Sequence, residues 1–261
     1  MVEVTCSTIA SAIETAITIS RQWGDSCSDE TNDVWFRGVN GPWPLVPSVY
    51  WKNVNDEYSV LSTFDQLVGN YLETSHYDPW DYYSLARHHG LPTRLLDWTE
   101  GISQALFFAF DKWDEKENPV VWMICPHELA RISGGDCEII VPNGSFSEMY
   151  LPPITSKTTK QTNGSTLDNK LPIPIYPRRS NPRIHGQQGV FTVHGTERTS
   201  IDDILSAQEN SDQIIARIEL SGFKFKDVRR DLMYLGMRQA VIYPDADHLA
   251  KDVMYWYGIK E

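Results

Sequence analysis

The amino-acid sequence predicts an α+β fold, and three observations carry that expectation. Apolar residues recur with a helical period through the first 113 residues, and short β-rich runs follow from residue 120 onward. The two kinds of segment mix without a regular βαβ rhythm. Neither G-x-G-x-x-G nor G-x-x-x-x-G-K-[ST] occurs, which argues against the common dinucleotide-binding and P-loop α/β folds.

Taken in order, Ile9, Ile13, Ala16, Ile17 and Trp23 predict a helix over 9–23 that ends at Gly24. Val34-Trp35-Phe36-Arg37-Gly38 reads as a strand running into the turn-rich GVNGPWPLVP. Val60, Leu61, Phe64, Leu67, Val68, Tyr71 and Leu72 predict a helix over 57–75. A further helix over 80–89 stops at Gly90, with Pro92 just beyond. Ile102, Ala105, Leu106, Ala109, Phe110 and Trp113 form the stripe of another, with Asp97 or Thr99 as its N-cap. Strands are expected at 120–125, 137–141, 189–194, 213–220 and 239–243, and helices at 201–207, 226–235 and 246–256. Residues 143–182 form a long polar insertion without structure of its own, of the kind that is a lid, a binding loop or a disordered insertion. The whole is expected to be one domain over 1–261, with 1–30 as an N-terminal helical extension.

Composition narrows the function. The 261 residues are 41% hydrophobic and 22% charged, values of a folded chain that can bury a core. A net charge of −12 argues against a general polyanion binder and leaves room only for a local basic patch. Lys157, Lys160, Lys170, Arg178, Arg179 and Arg183 supply one candidate patch in and after the insertion. The four cysteines, at 6, 27, 125 and 137, lack C-x-x-C spacing and are expected to be reduced thiols. Without a signal-like start or an apolar run of about 18 residues, the expected location is the cytoplasm, with no membrane partner.

Three segments carry chemistry. Arg37 stands inside an apolar run, and a buried guanidinium needs an anion, either a partner Asp or Glu or the phosphate or carboxylate of a ligand held close to Gly38. The stretch Arg87-His88-His89-Gly90-Leu91-Pro92-Thr93-Arg94-Leu95-Leu96-Asp97-Trp98-Thr99 crowds polar groups around a sharp loop. Its structural alternative has Asp97 capping the next helix and pairing with Arg94. No metal is expected, because adjacent His88 and His89 point about 100° apart on a helix and no further ligands stand at useful spacing. In Arg183-Ile184-His185-Gly186-Gln187-Gln188-Gly189 the glycines either admit a ligand or make a turn and bulge. There is no G-x-S-x-G, so a serine nucleophile has no support.

WFRG, ARHHGLPTRLLDWTEGISQALFFAF and NPRIHGQQGVF, in that order over about 35–192, resemble the FRG domain, a bacterial and phage-associated family. The arrangement of the pieces is similar to that of the ADP-ribosyltransferases, whose split β-sheet core binds NAD without a glycine fingerprint. The resemblance implies a split sheet with peripheral helices and NAD as substrate. It implies Arg37, Asp97 and Gln188 as catalytic residues, with Gly38, His89, Thr93, Arg94, Thr99 and Gln187 binding the cofactor. Gln188, or Gln187, falls where that superfamily commonly has Glu, so either another acid such as Asp97 supplies the negative charge or the domain does not catalyse transfer. The implied function is a mono-ADP-ribosyltransferase toxin of an antiphage or toxin-antitoxin system, restrained by an antitoxin or other regulatory protein. Its acceptor would be nucleic acid, RNA ahead of DNA, or protein. The alternatives are a non-catalytic domain that recognises a nucleotide or phosphate, and a hydrolase using Asp97 with a histidine base.

Overall fold

The computed structural model describes residues 1–27, 33–73, 76–134, 138–142, 145–160, 166–178 and 182–259. It is an α+β structure built on one mixed seven-stranded sheet. The chain begins with β1 (Val2–Cys6) and α1 (Ile9–Cys27), then β2 (Trp35–Val39), the short α2 (Ser48–Trp51), α3 (Glu57–Val68) and α4 (Pro79–His88). β3 (Leu95–Thr99), α5 (Ile102–Phe110), β4 (Val120–Ile124), α6 (Pro126–Gly134) and α7 (Ser145–Glu148) come next. A small hairpin, β5 (Thr158–Lys160) with β6 (Thr166–Asp168), precedes β7 (Ile173–Ile175), α8 (Pro182–Gly186) and β8 (Gly189–Val193). The chain closes with α9 (Ile201–Ser206), β9 (Ile215–Leu220), α10 (Phe225–Tyr234), α11 (Gln239–Ile242) and α12 (Ala246–Trp256).

The sheet order is β1-β9-β4-β2-β3-β8-β7, antiparallel except for β1 against β9. Successive residues of a strand point to opposite faces, and each face here has its own apolar cluster. Leu96, Trp98 and Val190 pack on one side with α1 and α5, while Leu95, Phe191 and Val193 pack on the other with Trp80 and Tyr83 of α4. Gly38 lets strand and helix touch on the first side, since a Cβ there would stand 1.8 Å from the Ala105 carbonyl oxygen in α5.

Several expectations are corrected. The sheet is one continuous array, where the resemblance implied a split core. Its β2–β3 junction, however, holds a single residue pair, Phe36 with Thr99, against five on the β2–β4 side. Residues 1–30 are more than a helical extension, because Val2–Cys6 adds an edge strand to β9. Residues 95–99 form a strand where a loop was expected, with Leu-Leu-Asp-Trp-Thr alternating between the two packed faces. The insertion is structured among its described residues. β7 joins the main sheet, and buried Asn169 donates through Nδ2 to the carbonyls of Met149 and Thr155 at 2.7 and 2.9 Å while accepting from the Lys157 amide. Residues 239–242 are a helical turn instead of a strand, because the buried Asp252 carboxylate accepts from the first two amides, Gln239 and Ala240. Of the strand expected at 137–141 only a bridge from Ile140 to Ile175 forms, and Cys137 lies outside the described residues. The helix over 57–75 ends at Val68, where Gly69 caps it. Cys125 is disulfide-bonded, against the expectation of reduced thiols, and Cys6 is a free buried thiol.

Candidate functional site

The sheet parts between β2 and β3, and a cavity of about 480 Å³ occupies the opening. Gly38 faces α5, so its neighbour Arg37 faces the other way, toward α4 and Asp97. Arg37 Nη1 donates to the Asp97 carbonyl oxygen at 2.6 Å and stands 3.8 Å from the carboxylate. A guanidinium thus occupies the place of missing ladder bonds between the two strands.

α4 delivers the second arginine. Asp78 and Asp81 form a capping box at its start, with Pro79 in the first turn, and His89 and Gly90 end it, Gly90 at φ +82°. Arg87 therefore lies in the last turn, where the helix dipole favours a cation. Its Nε donates to both Asp97 carboxylate oxygens, at 3.0 and 3.2 Å, and Nη2 also meets the carboxylate. Nη1 donates to Ser48 Oγ at 2.9 Å.

Burial pushes the Asp97 carboxyl upward, but Arg87 and then Arg37 outweigh it and hold it below its ordinary value, so it is ionised at neutral pH. Burial lowers the Arg37 guanidinium to about 10, against the pull of Asp97, and it remains a cation. His88, lowered to about 4 by burial and then by Arg183, lines the cavity as a neutral ring. Lys112, held at φ +57° after α5, and Arg183 of α8 bring further positive charge. Tyr243 closes the far side: its hydroxyl donates to Asp111 at 3.0 Å, and Arg183 lies 4.7 Å over its ring.

Arg37, Gly38, Asp97, Thr99 and Gln187 all line this cavity. Thr99 is occupied, its hydroxyl donating to the Gln187 carbonyl at 2.8 Å and accepting from the Gly101 amide at 3.1 Å. Gly101, and neither Asp97 nor Thr99, is the N-cap of α5. Four other candidates lie elsewhere. Gln188 is exposed in the turn before β8, at φ +47°, with its Oε1 against Gly101. Gln187 and Gly189 on either side of it line the cavity, and Gln188 does not. His89 is exposed beside Phe64, outside the cavity. Thr93 is fully buried, its hydroxyl accepting from the Leu95 amide. Arg94 is buried too. It pairs with Glu57 at 2.7 Å instead of Asp97, and it donates to the carbonyls of His194 and Tyr150.

Arg87, His88, Asp111, Lys112, Arg183 and Tyr243 also line the cavity; the sequence placed Arg87, His88 and Arg183 in chemistry-bearing segments without giving them a site role, and it did not mark Asp111, Lys112 or Tyr243. Arg87 carried a signal, a cation in the last helical turn before Gly90. Nothing around Tyr243 distinguishes it. Of the basic patch expected in the insertion, two described members are taken up by carboxylates: Lys170 pairs with Asp168 at 3.2 Å, and Arg178 pairs with Asp78 and Asp81 at 3.2 and 3.4 Å. Arg179 and the Lys160 side chain lie outside the described residues. Among the described residues no helix is long and apolar enough to cross a membrane.

Residues 32–118 match the family model of the FRG domain, which takes in Arg37, Arg87 and Asp97 and leaves out Arg183, Gln187 and Tyr243. No curated protein and no solved structure matches the chain.

Proposed function

For a chain whose residues 32–118 are an FRG domain, we propose that the cavity between β2 and β3 binds NAD and that the protein transfers its ADP-ribosyl group to an acceptor. The observation that supports this best is the pair of arginines flanking one ionised carboxylate where the sheet parts. Arg37, Arg183 and Lys112 suit a pyrophosphate, which planar guanidinium groups grip in two-pronged fashion. Phe36 and Phe108 offer aromatic surface to a base or a nicotinamide. NAD supplies a glycosidic bond that breaks with its electron pair leaving on nicotinamide, while the acceptor bonds to the freed carbon and gives up a proton. Asp97 faces the positive charge that builds on the ribose, the electrostatic task that fixed groups in a cavity do well. His88, uncharged at pH 7, adds hydrogen-bonding capacity without repelling a cation.

The test is to incubate the purified protein with labelled NAD and cell extract. Nicotinamide release, with label following protein or nucleic acid, is expected from the wild type and not from Asp97→Asn. An absence of both binding and consumption of NAD overturns the proposal. A toxin restrained by a partner belongs to the same proposal and predicts growth arrest on expression, relieved by Asp97→Asn. A second reading, recognition of a nucleotide without turnover, draws support from the position of Gln188 outside the cavity and from the double engagement of Asp97. Calorimetric binding of NAD without nicotinamide release would favour it.

A further inference from the structure

Beside the first cavity lies a second of about 490 Å³, between the end of α5 and helices α10, α11 and α12. The two adjoin across Tyr243, sharing it with Asp111, Lys112 and Arg183. We propose that the second cavity binds single-stranded nucleic acid and presents it to the first; the binding stands alone, and the acceptor role rests on the function proposed above.

Charge is the first argument. The chain carries −12 overall, yet this cavity is lined by Lys112, Arg183, Arg229, Arg238 and Lys251 against only Asp111 and Asp252. Both carboxylates are already engaged, Asp111 by the Tyr243 hydroxyl and Asp252 by two backbone amides at 3.2 and 2.9 Å. Among the described residues, Lys112, Arg229, Arg238 and Lys251 form no ion pair, whereas Lys116, Lys170, Arg178, Arg217 and Arg230 on other surfaces each face a carboxylate. A lining of five cations against two carboxylates in an acidic protein concentrates polyanions at one place.

The second argument is what those arginines rest on. Arg229 lies 3.9 Å over the Tyr255 ring, Arg238 lies 5.6 Å over Trp256 and Arg183 lies 4.7 Å over Tyr243, which itself stacks on His248 at 4.5 Å. Stacking orders a guanidinium and leaves its in-plane N–H groups to meet a phosphate. The same cavity is lined by Phe107, Phe110 and Phe225, and a single strand needs both kinds of group, cations for its backbone and aromatic side chains for its bases. An acidic peptide would use the charges and leave the rings without a role. The volume suits about one or two nucleotides and excludes a duplex.

Fluorescence anisotropy with labelled single-stranded RNA, single-stranded DNA and the matching duplex tests this in the absence of NAD. The full chain should bind single strands at low salt and the duplex at least about tenfold more weakly. Arg229→Gln with Arg238→Gln should weaken binding about tenfold or more and reduce the log–log salt slope by about 1.4, the loss of two phosphate contacts. Lys251→Gln should reduce the slope by about half as much, and it keeps the test valid if the double variant unfolds; Lys116→Gln, outside the groove, should change neither quantity. No binding of either strand, equal binding to the duplex, an unchanged slope in these groove variants, or equal competition by polyglutamate overturns the proposal. Because no NAD is present, strands that bind while NAD is never consumed count against the transferase alone. Label that reaches protein while no strand binds counts against the nucleic-acid site alone.

Discussion

Arg94 and Asp97 stand three residues apart in one segment and both are ion-paired, yet only the pairs that Asp97 makes belong to the cavity. Arg94 is sealed, with 2% of its side chain exposed and 9% of Glu57. Its Nε, Nη1 and Nη2 all donate, to Glu57, His194 and Tyr150. Asp97 keeps 43% of its side chain exposed and Arg37 keeps 21%, on the side where the sheet parts. The difference teaches that residue type and motif position do not separate a structural ion pair from one available to a ligand. What separates them is whether donors and acceptors are left over after the fold has used its share.

The largest expected effect is on the sealed pair. Glu57→Ala leaves a buried guanidinium without its counter-charge and should cost about 3–5 kcal/mol in urea unfolding. Replacing both partners, Glu57→Leu with Arg94→Met, should recover much of that, because the desolvation cost then disappears with the charges. If Glu57→Ala costs no more than a surface change, the pair is not structural and the contrast with Asp97 fails.

Acid should reach the sealed region first. Burial, aided by the Arg94 charge, lowers the His194 imidazole to about 3. Between about pH 6.5, its ordinary value, and pH 3 the unfolded chain therefore binds a proton that the folded chain refuses. Stability is full above that window and falls as pH drops through it, by on the order of several kcal/mol. Asp97 is shifted in the sense that favours folding, so its contribution is present above the ordinary carboxylate range and is lost only as pH falls below it. His194→Phe should flatten the loss between pH 6.5 and 4 in chemical denaturation, and an unchanged slope would locate the acid-sensitive group elsewhere.

On the open pair the expectations reverse. Asp97→Asn and Arg37→Lys should each cost less unfolding free energy than Glu57→Ala, since 43% and 21% of these side chains stay exposed and are partly screened. Affinity for NAD in calorimetry should nevertheless fall about ten- to a hundredfold for Arg37→Lys, which loses the planar contact. A loss of stability as large as that of Glu57→Ala would make Arg37 a second structural arginine and leave the cavity without its anchor.

Sequence made part of this legible. The apolar stripes placed α1, α4 and α5 closely, and the charge inside Trp35-Phe36-Arg37-Gly38 pointed to an anion that turns out to be Asp97. It did not disclose which carboxylate Arg94 would take. Glu57 is 37 residues upstream on α3, and only the packing of α3 and α4 against the end of β8 joins them. It also misplaced 95–99, whose polar neighbours suggested a loop although alternation between two buried faces makes a central strand. Tyr243 follows a helical turn that the sequence reads as a strand, and Arg229 reaches the second cavity from α10, whose spacing says only that it is amphipathic.

The smallest effect is expected at Gln188, where the resemblance implied a catalytic residue. Its φ of +47° is one that side chains other than glycine adopt at a cost. Its Oε1 lies against Gly101 and away from the Arg37 cavity. Gln188→Gly removes both the side chain and the strain, although glycine also gains freedom in the unfolded chain, and the net change should stay within about 1 kcal/mol. NAD affinity and turnover should both hold within about twofold, in contrast to Arg37→Lys. Turnover that collapses while affinity holds is the signature of a group acting in the transition state. That outcome would mean that the turn between α8 and β8 moves Gln188 into the cavity when NAD is bound, and the line between structural and functional residues would have to be redrawn there.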